Sequence, residues 1–184
     1  MFKEILIDIS RRLQKSQIPY IVVGGQAVLL YGDPRMTRDI DITLGVDIDQ
    51  LARVTDAVND LPFSILARDF EAFVRSTRVL PIEHRESGIR IDLIFSFSPY
   101  EQLAIARARI MDLDGTSVSY ASPEDIIVHK MVAGRPRDLE DIKGILIRQT
   151  GLDQEYVRQW LSSFEDVVGR KLVEEYSTMK EALK

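Results

Sequence analysis

Residues 20–44 read YIVVGGQAVLLYGDPRMTRDIDITL, a stretch that joins two strand patterns through a glycine pair. The β-branched run at 20–23 predicts a short buried strand. It meets Gly24 and Gly25, and the apolar segment 26–31 that follows predicts a short helix. Because glycines at a helix start leave backbone N–H groups open, we expect an anion such as phosphate to bind there.

The second strand of this stretch carries two carboxylates. Residues 39–44 read DIDITL and alternate between polar and apolar side chains. Residues two apart in a strand share one face at about 7 Å, so Asp39 and Asp41 point the same way. Two carboxylates beside a phosphate-binding turn predict Mg²⁺, which prefers oxygen ligands. Two further Asp-x-Asp pairs are explained by local structure, as a helix start and a hairpin turn, at positions 47/49 and 112/114.

A third carboxylate lies later in the chain. Residues 79–83 and 89–95 flank a short polar segment and predict a hairpin. Its second strand places Asp92 between Ile91 and Leu93. A charge among apolar neighbours is costly unless it is paired, protonated or metal-bound, or unless its face is open to solvent. We therefore expect Asp92 to be a third metal ligand or, alternatively, a solvent-facing residue of an edge strand.

The last third of the chain is predicted to be helical. Ser122-Pro123 opens one helix, a second runs over about 137–147, and a third is expected from 153 to about 183. Four polar residues lie on or between the first two helices: Lys130, Arg135, Asp138 and Asp141. They form either a functional cluster or a solvated helix face on which residues three apart pair with each other. The whole pattern predicts an α/β (α+β) fold with a mixed, largely antiparallel sheet, flanking helices and a C-terminal helical cap. We expect an α/β domain over 1–121 and a helical region packed on it over 122–184.

Composition narrows the class of protein. The 184 residues are 45% hydrophobic and 29% charged, as in ordinary globular domains. No stretch of 18 apolar residues predicts a membrane span, and the N-terminus predicts an amphipathic helix, not a signal peptide. The absence of cysteine excludes disulfides and thiolate metal sites and fits a reducing cytoplasm, which is the expected location. A net charge of −5 argues against non-specific binding to long duplexes.

These residues resemble the nucleotidyltransferase superfamily with the polymerase-beta-like fold. Its signature is Gly-Gly or Gly-Ser at a helix start, Asp-x-Asp on the next strand and a third Asp on a neighbouring strand. Gly24-Gly25, Asp39-Ile40-Asp41 and Asp92 match that signature in order. More narrowly, VGGQAVLLYG with RMTRDID, and later SPEDIIVHKMVAGRPRDLEDI, is similar to the AbiEii-type nucleotidyltransferases, which include toxins of toxin–antitoxin pairs.

The resemblance implies roles for particular residues. Asp39, Asp41 and Asp92 would be catalytic and bind Mg²⁺, and Asp92 would also help deprotonate the acceptor. Four residues would bind the nucleotide: Gly24, Gly25, Arg38 and Lys130. The implied function is Mg²⁺-dependent transfer of NMP from an NTP such as ATP to a hydroxyl of RNA (including tRNA), protein or a small molecule. It includes a role as a toxin with an antitoxin protein as partner. The alternatives are a small-molecule (antibiotic) nucleotidyltransferase and a non-catalytic nucleotide-binding module.

Overall fold

Seven strands form one open sheet in the computed structural model, which describes residues 1–183. The strands are β1 (Tyr20–Val23), β2 (Asp39–Leu44), β3 (Phe63–Ile65), β4 (Val79–His84), β5 (Ile89–Phe95), β6 (Arg109–Leu113) and β7 (Thr116–Tyr120). Their order across the sheet is β3-β4-β5-β2-β1-β7-β6. The pairs β2/β5 and β1/β7 are parallel and the other four are antiparallel. The predicted mixed, largely antiparallel sheet is therefore confirmed.

Helices alternate with these strands along the chain and make up its C-terminal third. They are α1 (Phe2–Lys15), α2 (Gly24–Tyr31), α3 (Leu51–Val58), α4 (Phe70–Thr77), α5 (Pro99–Ala106), α6 (Pro123–Ala133), α7 (Pro136–Arg148), α8 (Gln154–Val168) and α9 (Leu172–Glu181). A 3₁₀ turn at Ile48–Gln50 precedes α3. Within residues 1–183, no helix combines the length and the apolar character that crossing a bilayer requires.

The chain divides into two compact units. The first comprises Met1–Gln26 and Thr37–Ala121 and holds the whole sheet. The second comprises Ala27–Met36 and the chain from Ser122 onward. Helix α2 thus begins in the first unit and continues in the second. The domain boundaries that the sequence predicts at 121/122 stay a prediction.

Alternation along β2 and β5 separates a core face from a polar face. Ile40, Ile42 and Leu44 are fully buried, whereas Asp41 is half-buried and Asp39 is exposed. In β5, Arg90 and Asp92 occupy the face opposite to the buried side chains of Ile89, Ile91, Leu93 and Phe95. The apolar sides of both strands anchor them in the core, and this fixes which face presents the carboxylates.

The second unit is built from consecutive helices with well-defined ends. Ser122 caps α6 by accepting a hydrogen bond from the backbone N–H of Asp125 at 3.1 Å. The single helix predicted from 153 to about 183 is wrong, because α8 ends at Val168 with Gly169 as its C-cap and α9 starts at Leu172. Gly169 has a φ of +69°, a left-handed conformation that terminates an α-helix.

Candidate functional site

Asp41 and Asp92 are direct neighbours on the adjacent parallel strands β2 and β5. Paired residues of neighbouring strands project to the same face, and the strands lie about 4.8 Å apart. Asp39 shares that face two residues before Asp41 and pairs in register with Arg90. Because β5 lies between β4 and β2, Asp92 is not on an edge strand, and its side chain is only 20% exposed. The edge-strand explanation of Asp92 is therefore excluded.

The glycine pair adjoins the carboxylate of Asp41. Strand β1 ends at Val23, directly opposite Asp41 in β2, and α2 begins at the next residue, Gly24. Gly24 has a φ of +60°, and a β carbon placed on it would lie 2.0 Å from Oδ2 of Asp41. Backbone conformation and space both require glycine here. The structure thus brings Gly24, the first residue of the glycine pair, next to Asp41.

The first turn of α2 also holds an unpartnered donor that the sequence interpretation missed. Gln26 is 7% exposed, and its amide nitrogen Nε2 has no hydrogen-bond partner among residues 1–183. Native proteins pair nearly all buried donors, so an orphan donor of this kind indicates a ligand or a bound water molecule. Its signal in the sequence is weak, since a glutamine after a glycine pair is compatible with an ordinary helix surface.

The carboxylates of Asp39 and Asp92 each accept a hydrogen bond from a nearby side chain. Asp39 Oδ1 accepts a hydrogen bond from the hydroxyl of Thr37 at 3.2 Å, and Asp92 Oδ1 accepts one from Nε of Arg90 at 2.8 Å. In the described part of the chain, no three His, Cys, Asp or Glu side chains are gathered closely enough to hold a metal ion. The three aspartates thus share a face, and Asp41 pairs in register with Asp92, but the close convergence expected from sequence is not present.

The donor set nevertheless fits Mg²⁺. Three carboxylates offer the hard oxygen ligands that this ion prefers, and two of them come from directly paired positions on neighbouring strands. The contact between Gly24 and Asp41 adds a helix start at the same point. Arg38 is exposed immediately before β2, in the same unit. Its predicted nucleotide contact stays a prediction.

The predicted residue Lys130 belongs to a buried ionic cluster in the second unit. Its side chain is 7% exposed, and its Nζ lies 2.8 Å from Asp138 Oδ1 and 2.6 Å from Asp141 Oδ2. Both carboxylates are buried as well. The interpretation as a solvated helix face is therefore wrong for Lys130, Asp138 and Asp141, whereas Arg135 is exposed and forms an i, i+3 pair with Asp138. Whether Lys130 contacts a nucleotide stays a prediction.

Two arginines complete this cluster. Arg35 donates to both oxygens of Asp141 at 2.7 and 2.8 Å, and Arg135 Nε donates to Asp138 at 2.6 Å. Burial opposes ionisation of both carboxyls, but hydrogen bonds from the arginines and from Lys130 outweigh it. The pKa values of Asp138 and Asp141 are consequently lower than those of free aspartates. The sequence gives no signal for the contact of Arg35 with Asp141, because 106 residues separate them.

Solved structures share this fold at low sequence identity. An antigenic nucleotidyltransferase-like protein from Paracoccidioides brasiliensis is 18% identical, with a TM-score of 0.62 over 98% of this chain and 92% of its own. ANT(2″)-Ia in complex with adenylyl-2″-tobramycin is 17% identical, with a TM-score of 0.59 over 90% of this chain and 97% of its own. MenT4, a nucleotidyltransferase toxin from Mycobacterium tuberculosis, is 15% identical, with a TM-score of 0.50 over 90% of this chain and 66% of its own.

The comparison by sequence is more direct. No curated protein matches the chain. A family model described as "nucleotidyltransferase of unknown function (DUF6036)" matches residues 1–184, which is the whole sequence. This match agrees with the arrangement of the glycine pair and the three aspartates and with the fold of the solved structures. The chain belongs to this nucleotidyltransferase family.

Proposed function

We propose that the chain transfers a nucleoside monophosphate from an NTP to a hydroxyl acceptor in an Mg²⁺-dependent reaction. The observation that carries this proposal is the register of Asp41 with Asp92, with Asp39 on the same face and Gly24 against Asp41. Paired carboxylates at a helix start are suited to binding a metal ion and a triphosphate side by side.

The nucleotide would be held at the start of α2. Backbone N–H groups of Gly24 and Gly25 would donate to phosphate oxygens, where the positive end of the helix dipole adds attraction. The unpartnered amide of Gln26 offers a further donor in the same turn. Arg38 and Lys130 remain predicted contributors to nucleotide binding, and both carry a positive charge suited to phosphate.

The three aspartates would divide the chemistry. Asp39 and Asp41 would hold Mg²⁺, and Asp92 would complete the ligand set and accept the proton of the acceptor hydroxyl. Bound Mg²⁺ supplies neutralisation of phosphate charge and lowers the pKa of a coordinated hydroxyl. The acceptor oxygen forms a bond to the α-phosphorus while the bond from that phosphorus to the leaving pyrophosphate breaks. The chain's own contribution is to orient these groups and to take the proton.

The solved structures that share the fold include one with a modified antibiotic and one of a toxin. ANT(2″)-Ia was solved with an adenylylated antibiotic, and MenT4 is a nucleotidyltransferase toxin. For this chain we propose an RNA or protein hydroxyl, in a toxin with an antitoxin partner, as the first candidate and a small molecule as the second. Exposed arginines on the first unit, such as Arg38 and Arg90, are compatible with an anionic acceptor.

Label transfer tests the proposal directly. The chain is incubated with each α-³²P-labelled NTP together with total RNA, a protein mixture or a pool of aminoglycosides, in Mg²⁺ and in EDTA. We expect Mg²⁺-dependent labelling of one pool and loss of labelling in Asp41→Asn. Labelling should be retained in Asp49→Asn, which changes an exposed aspartate of the Asp-x-Asp pair at a helix start. NTP binding without transfer to any pool would favour the non-catalytic module, and transfer that persists in EDTA would contradict a carboxylate-held metal.

A further inference from the structure

Arg90 lies among the acidic residues of the polar sheet face. It precedes Asp92 by two residues in β5, so both side chains project from the same side of the strand. In register it pairs with Asp39 of β2 on one flank and with Glu83 of β4 on the other. Arg90 is therefore the register partner of Asp39 and the same-face neighbour of Asp92. Asp41 belongs to the next residue pair on that face.

The contact of Arg90 with Asp92 engages the third carboxylate. Arg90 Nε donates to Asp92 Oδ1 at 2.8 Å, with the arginine side chain 52% exposed and the aspartate 20% exposed. Asp92 is thus bonded along its own strand, although its register partner Asp41 lies on the neighbouring strand. Among residues 1–183 the carboxylates are not gathered into a metal-binding group.

We propose that Arg90 is a positioning residue that competes with the divalent metal for Asp92. Without metal, the guanidinium of Arg90 neutralises Asp92 and holds its carboxylate along β5, towards Arg90. Metal bound by Asp39 and Asp41 recruits Asp92 at the expense of this hydrogen bond, which holds Oδ1 of the carboxylate. The inference rests on the metal site of the proposed function, and it adds that the chain carries its own competitor for that site.

The size of the effect follows from the exposure of the pair. An ion pair with a half-exposed arginine contributes little free energy. Its loss therefore changes the equilibrium constant for metal binding to Asp92 by no more than about five-fold. Removing a positive charge next to a divalent ion adds a further favourable effect. For Arg90→Gln we therefore expect metal binding about three- to ten-fold tighter than in the unchanged chain.

Mn²⁺ titration followed by electron paramagnetic resonance tests this on the full chain without nucleotide. We expect a lower Kd in Arg90→Gln and an unchanged Kd in Arg75→Gln, which removes an exposed arginine paired with Glu71 on α4. The same Arg90→Gln change is also made in an Asp92→Asn background. Because competition needs the carboxylate of Asp92, most of the tightening should disappear there, and only the smaller effect of the removed positive charge should remain.

Each other result has a definite meaning. Unchanged or weaker Mn²⁺ binding in Arg90→Gln overturns the proposal, and weaker binding would show that the arginine orients Asp92 for the metal. Equal tightening with and without the Asp92 carboxylate would show a general charge effect and also overturns it. Failure of the unchanged chain to bind Mn²⁺ would remove the metal site itself, which separates failure of the proposed function from failure of the role of Arg90.

Discussion

Gly24 and Asp41 are in such close contact that a β carbon on the glycine would lie 2.0 Å from Oδ2 of the aspartate. The contact arises because β1 and β2 are antiparallel and place Val23 opposite Asp41. The helix start and the first carboxylate pair are therefore coupled by backbone geometry. A change at Gly24 acts on the carboxylate as well as on the turn.

Gly24→Ala should impair both stability and nucleotide transfer. The left-handed φ of +60° costs an alanine roughly 1–2 kcal/mol. The methyl group also forces Asp41 to move, and a displaced metal ligand should lower the rate of transfer by about 10²-fold or more. The rate of label transfer and the free energy of unfolding are measured together.

Gly169→Ala provides the control for backbone strain. Gly169 has a similar φ of +69° and no neighbouring atom within 4 Å of an added β carbon. We expect this variant to lose a comparable amount of stability and to keep the rate of the unchanged chain. Equal rates in Gly24→Ala and Gly169→Ala would contradict a functional contact between Gly24 and Asp41.

Asp92→Asn should separate nucleotide binding from transfer. The change keeps shape and volume but removes the charge and the basicity that the proposed function assigns to Asp92 as metal ligand and proton acceptor. Loss of a general base lowers rates by roughly 10²- to 10⁴-fold. NTP binding should largely survive, since the proposed function assigns it to Gly24, Gly25 and a metal on Asp39 and Asp41.

Stability should change little in this variant, because the pair of Asp92 with Arg90 is partly exposed. The rate of transfer and the NTP-induced rise in Tm are the two measurements. Asp49→Asn serves as the control and should alter neither. A transfer rate close to that of the unchanged chain would return Asp92 to a structural role.

The local pattern predicted most of the sheet and the positions of the three aspartates. Period-two alternation in β2 and β5 was sufficient because one face of each strand is buried and the other is polar. It could not predict how the side chains are partnered. Asp92 interacts with Arg90 two residues away, a contact whose signal is the i, i+2 spacing in a strand.

Contacts between segments that are distant in the chain could not be predicted from local sequence patterns. The cluster around Lys130 looked like a solvated helix face because residues three apart on a helix pair readily in water. Arg35 reaches Asp141 from 106 residues earlier, a contact that no local pattern reports. The break between α8 and α9 was missed since apolar spacing continues on both sides of Gly169.

Lys130→Met should destabilise the protein. The change leaves Asp138 and Asp141 buried, each with one arginine in place of an arginine and a lysine. Removing one partner of a buried ion pair typically costs 3–5 kcal/mol, and the remaining arginines place the expected loss near the lower end, at about 3 kcal/mol. Urea-induced unfolding at pH 7 measures the loss.

Lys143→Met is the matched control, because Lys143 forms an exposed i, i+3 pair with Glu140 on α7. Its effect should stay within about 0.5 kcal/mol. Similar small losses in both variants would show that the buried cluster contributes no more than a surface pair. Any loss of NTP affinity in Lys130→Met is compared at an equal folded fraction, so that a role in nucleotide binding is distinguished from unfolding.

Acid should weaken the second unit through Asp138 and Asp141. Burial raises the pKa of each carboxyl, but hydrogen bonds from Arg135 or Arg35 and from Lys130 lower it more, so both folded-state pKa values lie below the ordinary value of 3.8. The unfolded chain then binds more protons than the folded chain as the pH falls through this range. Their stabilising contribution is complete above about pH 4 and is lost below it, with a slope of up to about 1.4 kcal/mol per pH unit for each group.

Asp141→Asn should therefore flatten the dependence of the free energy of unfolding on pH below about pH 4. The variant also loses stability at pH 7, because Arg35 and Lys130 lose a buried anionic partner. Asp166→Asn, at an exposed position of α8, should keep the acid slope of the unchanged chain. Urea midpoints between pH 2.5 and pH 7 give the slopes. An identical acid slope in Asp141→Asn and the unchanged chain would mean that the ion pairs of Asp141 do not hold its proton affinity down in the folded state.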